Sequence, residues 1–450
     1  MYGSPARKGK ISEAAKRRKD LGNFTGAFHS GIASHFRAGG SSYSEQEYGP
    51  LDALLPGRLM RWIPHVARFW FRKKHPYRDY TSGEHGNGIY RIDDRATISL
   101  AGDWGTGTDE AHMVADRIRQ FHPDITIHLG DIYYVGDPSE IDENFLGKKT
   151  SPYEPVEWPM GAKGSFALSG NHEMYARGMG YFSSILPRMG LFSQSAAANV
   201  AGAPPPGQWA SFFCLENNFW KIIGIDTGYN STGFDWGKLP VLKRIKSLLR
   251  NEHFKPDCRI PEPALAWLDA VVKPNDDGRG LILLSHHGSH SAFGDWYKIP
   301  ARQLDGAIQR PAIWFWGHEH KLAIYDWFGA PQGIRTFGRC IGHGGMPVDR
   351  SPHPQADCPL IGWDNRRYDN GEKIDVGYNG HANLTFDGAA LRIEYVDLLG
   401  QALFKETWRA DLKSGTLEGP QLQKVSDDRH VHVRGASSGV EIAGCGVAPR

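Results

Sequence analysis

The stretch ATISLAGDWGTGTDEAHMVADRIRQFHPDITIHLGDIYY, residues 96–134, decides the fold. Ala96 to Ala101 is an apolar run of strand length. Asp109 to Phe121 places Met113, Val114, Ile118 and Phe121 at helical spacing, and Asp124 to Leu129 is a second strand. Strand, helix and strand in this order make a βαβ unit with a parallel pair. Asp103 and Asp131 then each follow the C-terminal end of a strand, where open α/β sheets collect ligands. Three later runs repeat the device. Ser165 to Leu168 precedes Gly170-Asn171-His172-Glu173, Leu281 to Leu284 precedes Ser285-His286-His287, and Ala312 to Trp316 precedes Gly317-His318-Glu319-His320.

The 450 residues, 40% hydrophobic and 23% charged, can bury a large core as one big domain or two modest ones. Five cysteines without C-x-x-C spacing signal neither a thiolate zinc site nor a full set of disulfides, so reduced thiols are expected. Met1 to Gly31 is basic and polar without the apolar core of a secretion signal, and no later run reaches the roughly 18 apolar residues that span a bilayer. A cytoplasmic location is the expectation. Residues 1–80 carry a net charge of +9 and the remainder −7, so a basic arm precedes a mildly acidic body. Such an arm suits nucleic acid or an anionic membrane, but a solvated extension is the simpler reading.

Along the chain, residues 1–50 read as irregular with one short helix over Ile11 to Lys19. Leu51 to Lys74 mixes Leu, Trp and Phe with Arg and is broken by Pro56 and Pro64. It reads as a strap on the body, or alternatively as an interfacial anchor. Ser211 to Asp226 is an expected hairpin turning at Glu216-Asn217-Asn218, and Pro261 to Val272 an expected helix. Residues 195–207 form a low-complexity loop. His343 to Lys373 lacks periodicity, and its Arg350, Trp363, Arg366 and Arg367 suit a loop over the site. Gly380 to Trp408 alternates as paired strands would, and residues beyond about 424 read as a tail. The division is an extension over 1–90, a catalytic domain over 91–410 and a tail over 411–450. The sequence carries no signal of oligomeric state.

Each motif alone is weak. Five in order, each closing an apolar strand, bring carboxylates, an amide, a phenol and imidazoles to one edge, as a pair of metal ions requires. The series resembles the calcineurin-like metallophosphoesterases. Within them it is similar to the purple acid phosphatases, having D-x-G in the first block and G-D-x-x-Y in the second. The resemblance implies an α/β fold of four layers, α/β/β/α, with two mixed sheets flanked by helices. It implies that Asp103, Tyr134 and His320 bind the first metal, that Asn171, His286 and His318 bind the second, and that Asp131 bridges them. Tyr133 is the alternative aromatic, and alternation along a strand would let only one of the two face the metals. His172 is implied to protonate the leaving group, with Asn171, His172 and His287 touching the substrate; His287 or His290 would support the ligands. Iron is expected at the first site and iron, zinc or manganese at the second. The implied reaction is attack of a metal-bridging hydroxide on a small phosphorylated substrate, foremost a phosphomonoester. The alternatives are a phosphodiesterase acting on cyclic nucleotides or nucleic acid and, from another class, a scaffold without turnover.

Overall fold

The computed structural model describes residues 69, 72–133, 135–149, 155–192, 207–232, 257–294, 296–329, 333–350, 354, 358–369 and 376–434. The elements follow in chain order. They are β1 (Ile89–Arg91), β2 (Arg95–Ala101), α1 (Asp109–Phe121), β3 (Ile125–His128), α2 (Pro138–Asn144), β4 (Gly164–Ala167), α3 (Asn171–Tyr175) and β5 (Gly190–Leu191). Next come β6 (Phe213–Glu216), β7 (Trp220–Gly224), α4 (Glu262–Trp267), β8 (Gly280–Ser285), α5 (Lys298–Ala307), β9 (Ala312–Trp316), β10 (Leu322–Phe328) and β11 (Thr336–Ile341). Then follow β12 (Leu360–Asp364), β13 (Gly380–Asp387), β14 (Ala390–Asp397), β15 (Ala402–Asp411), β16 (Thr416–Lys424) and β17 (Val431–Val433).

The strands make two mixed sheets. One has the order β1-β6-β7-β8-β9-β11-β10-β12-β17, the other β16-β15-β14-β13-β2-β3-β4-β5. Ile98, Leu100, Phe166 and Leu384 of the second sheet pack against Leu215, Ile222, Leu284 and Phe315 of the first in a shared core. Removing such a side chain from water is worth about 1.5–3 kcal/mol. Val114 and Ile118 of α1 and Ile141 of α2 cover the outer face of the second sheet, while Trp267 of α4 and Leu304 of α5 cover that of the first. Helix, sheet, sheet and helix are the four layers expected.

Local chemistry sets the elements near the site. The Thr108 hydroxyl caps α1 by accepting from the Ala111 N–H, Asp109 and Glu110 sit in the first turn, and His122 closes the helix in the left-handed region at φ 52°. The pairing of β2 with β3 continues past both strands through Asp103 N–H to Gly130 O (3.0 Å) and Tyr133 N–H to Gly105 O (2.9 Å). Asp103 and Asp131 are thereby held side by side.

Several boundaries differ from the expectation. Residues 72–91 belong to the body. The Tyr80 ring packs edge-on against Phe212 while its hydroxyl donates to the Phe212 carbonyl, β1 pairs with β6, and His75 stacks on Phe182 at 4.6 Å. Beyond residue 411, where the tail was expected, β16 pairs with β15 and β17 pairs with β12. β12 also lies inside the stretch read as one aperiodic loop. There Arg366 is buried between Asp364 and Asp397 and Trp363 stacks on His432, so both build the sheet edge. The helix expected to Val272 is α4 followed by a π-helical turn, Leu268–Val272. Cys214, Cys258, Cys340 and Cys358 are free thiols. No helix among the described residues is long and apolar enough to cross a membrane. The helix expected over Ile11 to Lys19, most of the strap and nearly all of the low-complexity loop lie outside the described residues.

Candidate metal centre

The site lies where the strand ends of the two sheets meet. The second sheet contributes Asp103 after β2, Asp131 after β3 and Asn171 after β4. The first contributes His286 and His287 after β8, and His318 and His320 after β9. The backbones approach so closely that a Cβ on Gly102 would sit 2.9 Å from the Gly317 Cα, and one on Gly170 would sit 2.0 Å from Asp131 Oδ1. These glycines let the acidic and imidazole segments converge. Asp103, Asp131 and His318 adopt φ of 58°, 72° and 66°, a left-handed conformation that costs energy outside glycine and gathers at functional sites.

Asp103, Asp131, Asn171, His172, His286, His287 and His320 are buried and His318 is partly exposed. The donor atoms of Asp103, Asp131 and His286 lie within 4.8 Å of one another, as do those of His286, His287 and His318. His286 joins the two groups: its Nε2 is 3.2 Å from Asp131 Oδ2 and 3.1 Å from Asn171 Oδ1, and its Nδ1 is 3.0 Å from the Leu129 carbonyl. His320 Nε2 lies 3.6 Å from Asp103 Oδ1, and the His318 N–H donates to Asp103 Oδ2 at 2.7 Å.

The phenol described in this cluster is that of Tyr133. Its hydroxyl donates to Asp103 Oδ1 at 2.9 Å and to Asp131 Oδ2 at 3.3 Å, and stands 3.0 Å from His320 Nε2. Tyr134 lies outside the described residues. After an isolated bridge at Ile132 the chain turns at Tyr133, so the alternation of a pleated strand does not govern which aromatic faces inward.

His172 borders the cluster. Its N–H donates to Asp131 Oδ1 at 3.0 Å, its Nε2 is 3.8 Å from Asp131 Oδ2, and its ring packs between Tyr133 (4.3 Å) and Tyr175 (5.1 Å). Glu173 lies beneath, accepting from the N–H groups of Gly170 (2.6 Å), Ile132 (2.5 Å) and Asp131 (3.2 Å), and so ties α3 to the Asp131 turn. Three further groups escaped the sequence reading. Thr227 accepts from the His287 N–H at 3.0 Å and faces its Nδ1 at 3.1 Å; it follows the strand β7 and was findable by the strand-end rule. Asp226 accepts from the Ser169 hydroxyl at 3.0 Å. Tyr297, from an irregular segment with no motif, reaches His318 Nε2 at 2.7 Å. His290 does not join the site: it is buried among Trp316, Tyr325 and Phe328.

The electrostatics ask for cations. Burial alone would raise the Asp131 carboxyl, yet the imidazoles of His286, His172 and His318 hold it well below the usual range. Burial would lower His286, but Asp131 and Asp103 push it up to about 10. Burial and the adjacent Asp131 charge push Glu173 up to about 8. Two buried carboxylates thus recruit positive charge from the nearest base. A bound cation meets the same demand and leaves His286 neutral, as a ligand must be. Carboxylate, amide, phenol and imidazole donors fit divalent or trivalent first-row ions.

The model of the calcineurin-like phosphoesterase family matches residues 96–322, half of the chain and all the segments that build this site. The chain belongs to the calcineurin-like phosphoesterase family. No curated protein matches it. Among solved structures, GAP50, the anchor in the inner membrane complex of Plasmodium, is 13% identical over 70% of this chain and 89% of that one, with a TM-score of 0.40. PhoD is 12% identical over 76% and 73%, also at 0.40, and Vps29 of Chaetomium thermophilum is 11% identical over 73% and 95%, at 0.21. At these scores the likenesses carry no argument about this chain's activity. As a member of its family, the phosphoesterase is a hydrolase of phosphoric esters that depends on metal ions.

Proposed function

We propose that this phosphoesterase hydrolyses phosphomonoesters at a centre of two metal ions, in the manner of the purple acid phosphatases. The observation that carries the reading is the position of Asp131. Its Oδ2 lies 3.2 Å from His286 Nε2 on one side and 3.3 Å from the Tyr133 hydroxyl on the other, between the two donor groups. Asp103, His320 and a phenol would hold the first ion, Asn171, His286 and His318 the second, and Asp131 both. The phenol would come from the pair Tyr133-Tyr134, Tyr134 as the resemblance implies or Tyr133, which reaches Asp103 and His320, and it would favour iron at the first site. Iron, zinc or manganese suits the imidazole and amide set of the second.

Ions held there supply Lewis acidity toward the phosphoryl oxygens and a water of lowered pKa. The protein's own groups do the rest. Glu173 fixes the Asp131 turn and α3 to each other, so the bridging carboxylate and Asn171 keep their spacing. The His172 ring, packed against Tyr133 and Tyr175 at the border of the cluster, would touch the phosphate and give a proton to the departing alkoxide. His287, with Nδ1 at Thr227 and its ring packed on His318, would contact the substrate as well.

The test compares p-nitrophenyl phosphate with bis(p-nitrophenyl) phosphate on protein loaded with iron and with zinc or manganese. A higher kcat/KM on the monoester is expected. A preference for the diester moves the reading to a phosphodiesterase, and two bound ions without turnover of either ester would support a scaffold.

A further inference from the structure

Tyr297 has no place in the ligand set, yet it is built into the cluster. It lies directly before α5, in the segment after β8 that also carries His286 and His287, and it is buried. Its N–H is bound to the Gly288 carbonyl, which ties the segment back to the turn after β8. The ring packs on His287 with centroids 4.6 Å apart and edge-on to His318 at 5.4 Å, and the hydroxyl stands 2.7 Å from His318 Nε2. An imidazole binds a metal through one nitrogen and is oriented through the hydrogen bond made by the other. His318 comes from a turn with φ 66° and is the partly exposed imidazole among the four proposed or adjacent to the ligand set, His286, His287, His318 and His320.

We infer that Tyr297 is a positioning residue for the second metal: its phenol oxygen accepts the Nε2–H of His318, fixing the tautomer that leaves Nδ1 as the metal donor. This rests on the two-ion reading above. The phenol touches neither substrate nor reacting atoms, and its contribution is to the affinity and placement of one ion.

The experiment is metal titration of the stripped protein, wild type and Tyr297→Phe, with Zn(II) alone, followed by calorimetry and by metal analysis after dialysis. The Phe variant keeps the ring packing on His287 and lacks the hydroxyl that meets His318 Nε2. The first ion should bind as in wild type and the second about 10–100-fold more weakly. The melting temperature of the metal-free variant should match that of metal-free wild type. Turnover at saturating Zn(II) should recover toward the wild-type value. A Phe variant that holds both ions with wild-type affinity overturns the inference alone. A wild type that takes up only one ion overturns the two-ion reading and the inference with it.

Discussion

At the scale of single residues, the site is a problem of charge. Asp103 and Asp131 are buried, and His286 carries the compensating proton at a pKa near 10 when no ion does. Asp131→Asn should therefore remove the bridge and lower metal content below one ion per chain, read by metal analysis. His172→Ala should lower kcat by roughly 100-fold, in the range of a lost general acid, with two ions still bound. Loss of metal in that variant would make His172 structural. The sequence made most of these residues legible because each follows an apolar run by one to four positions. The phenol was harder to read. The segment Asp131 to Tyr133 lies past the end of its strand, so period-two logic does not apply there, and the Tyr133 ring reaches Asp103 and His320. Tyr297 was invisible for a different reason: its partner is more than twenty residues away and no spacing rule connects them.

At the scale of elements, the site requires two sheets held in register with each other, and a buried ion pair contributes to this. Arg339 of β11 and Glu406 of β15 are both fully buried, with Nε 2.8 Å from Oε1, and the Trp408 indole N–H (2.8 Å) and Tyr395 hydroxyl (3.1 Å) also donate to Glu406. Glu406→Ala would strand a buried guanidinium at a cost of about 3–5 kcal/mol, seen as a lowered melting temperature. Replacing both partners by apolar residues of similar volume should cost far less. Strands β2 and β9 and helix α1 were legible almost to the residue, since a helical stripe or an unbroken apolar run admits one reading. Strands β12, β16 and β17 were not. Each is an edge or near-edge strand with mixed burial, so the alternation that reveals a half-buried strand is diluted by polar residues and by Gly and Pro.

At the scale of the whole molecule, pH sets the limits. Burial holds His128, His290 and His381 down at about 3 and His343 at about 4, so each stays neutral in the folded protein well below its unfolded pKa near 6.5. The unfolded chain then binds more protons than the folded one between those values. Stability from these groups is complete above about pH 6.5 and is lost as the pH falls toward 4 and then 3. The melting temperature should fall steeply over that interval, and more gently in a His381→Leu variant; an unchanged slope would show that His381 takes no part. The pairings of β1 with β6, β16 with β15 and β17 with β12 were not legible in the sequence, because none of these strands carries a clean apolar alternation. The central claim is that the two sheets together hold a pair of ions. It is tested most directly by metal content and a visible spectrum on the purified protein, wild type and Tyr133→Phe. The account predicts two ions per chain including iron, and a phenolate charge-transfer band that disappears in the variant. A single ion would contradict it, and a band untouched by Tyr133→Phe would assign the phenolate to Tyr134.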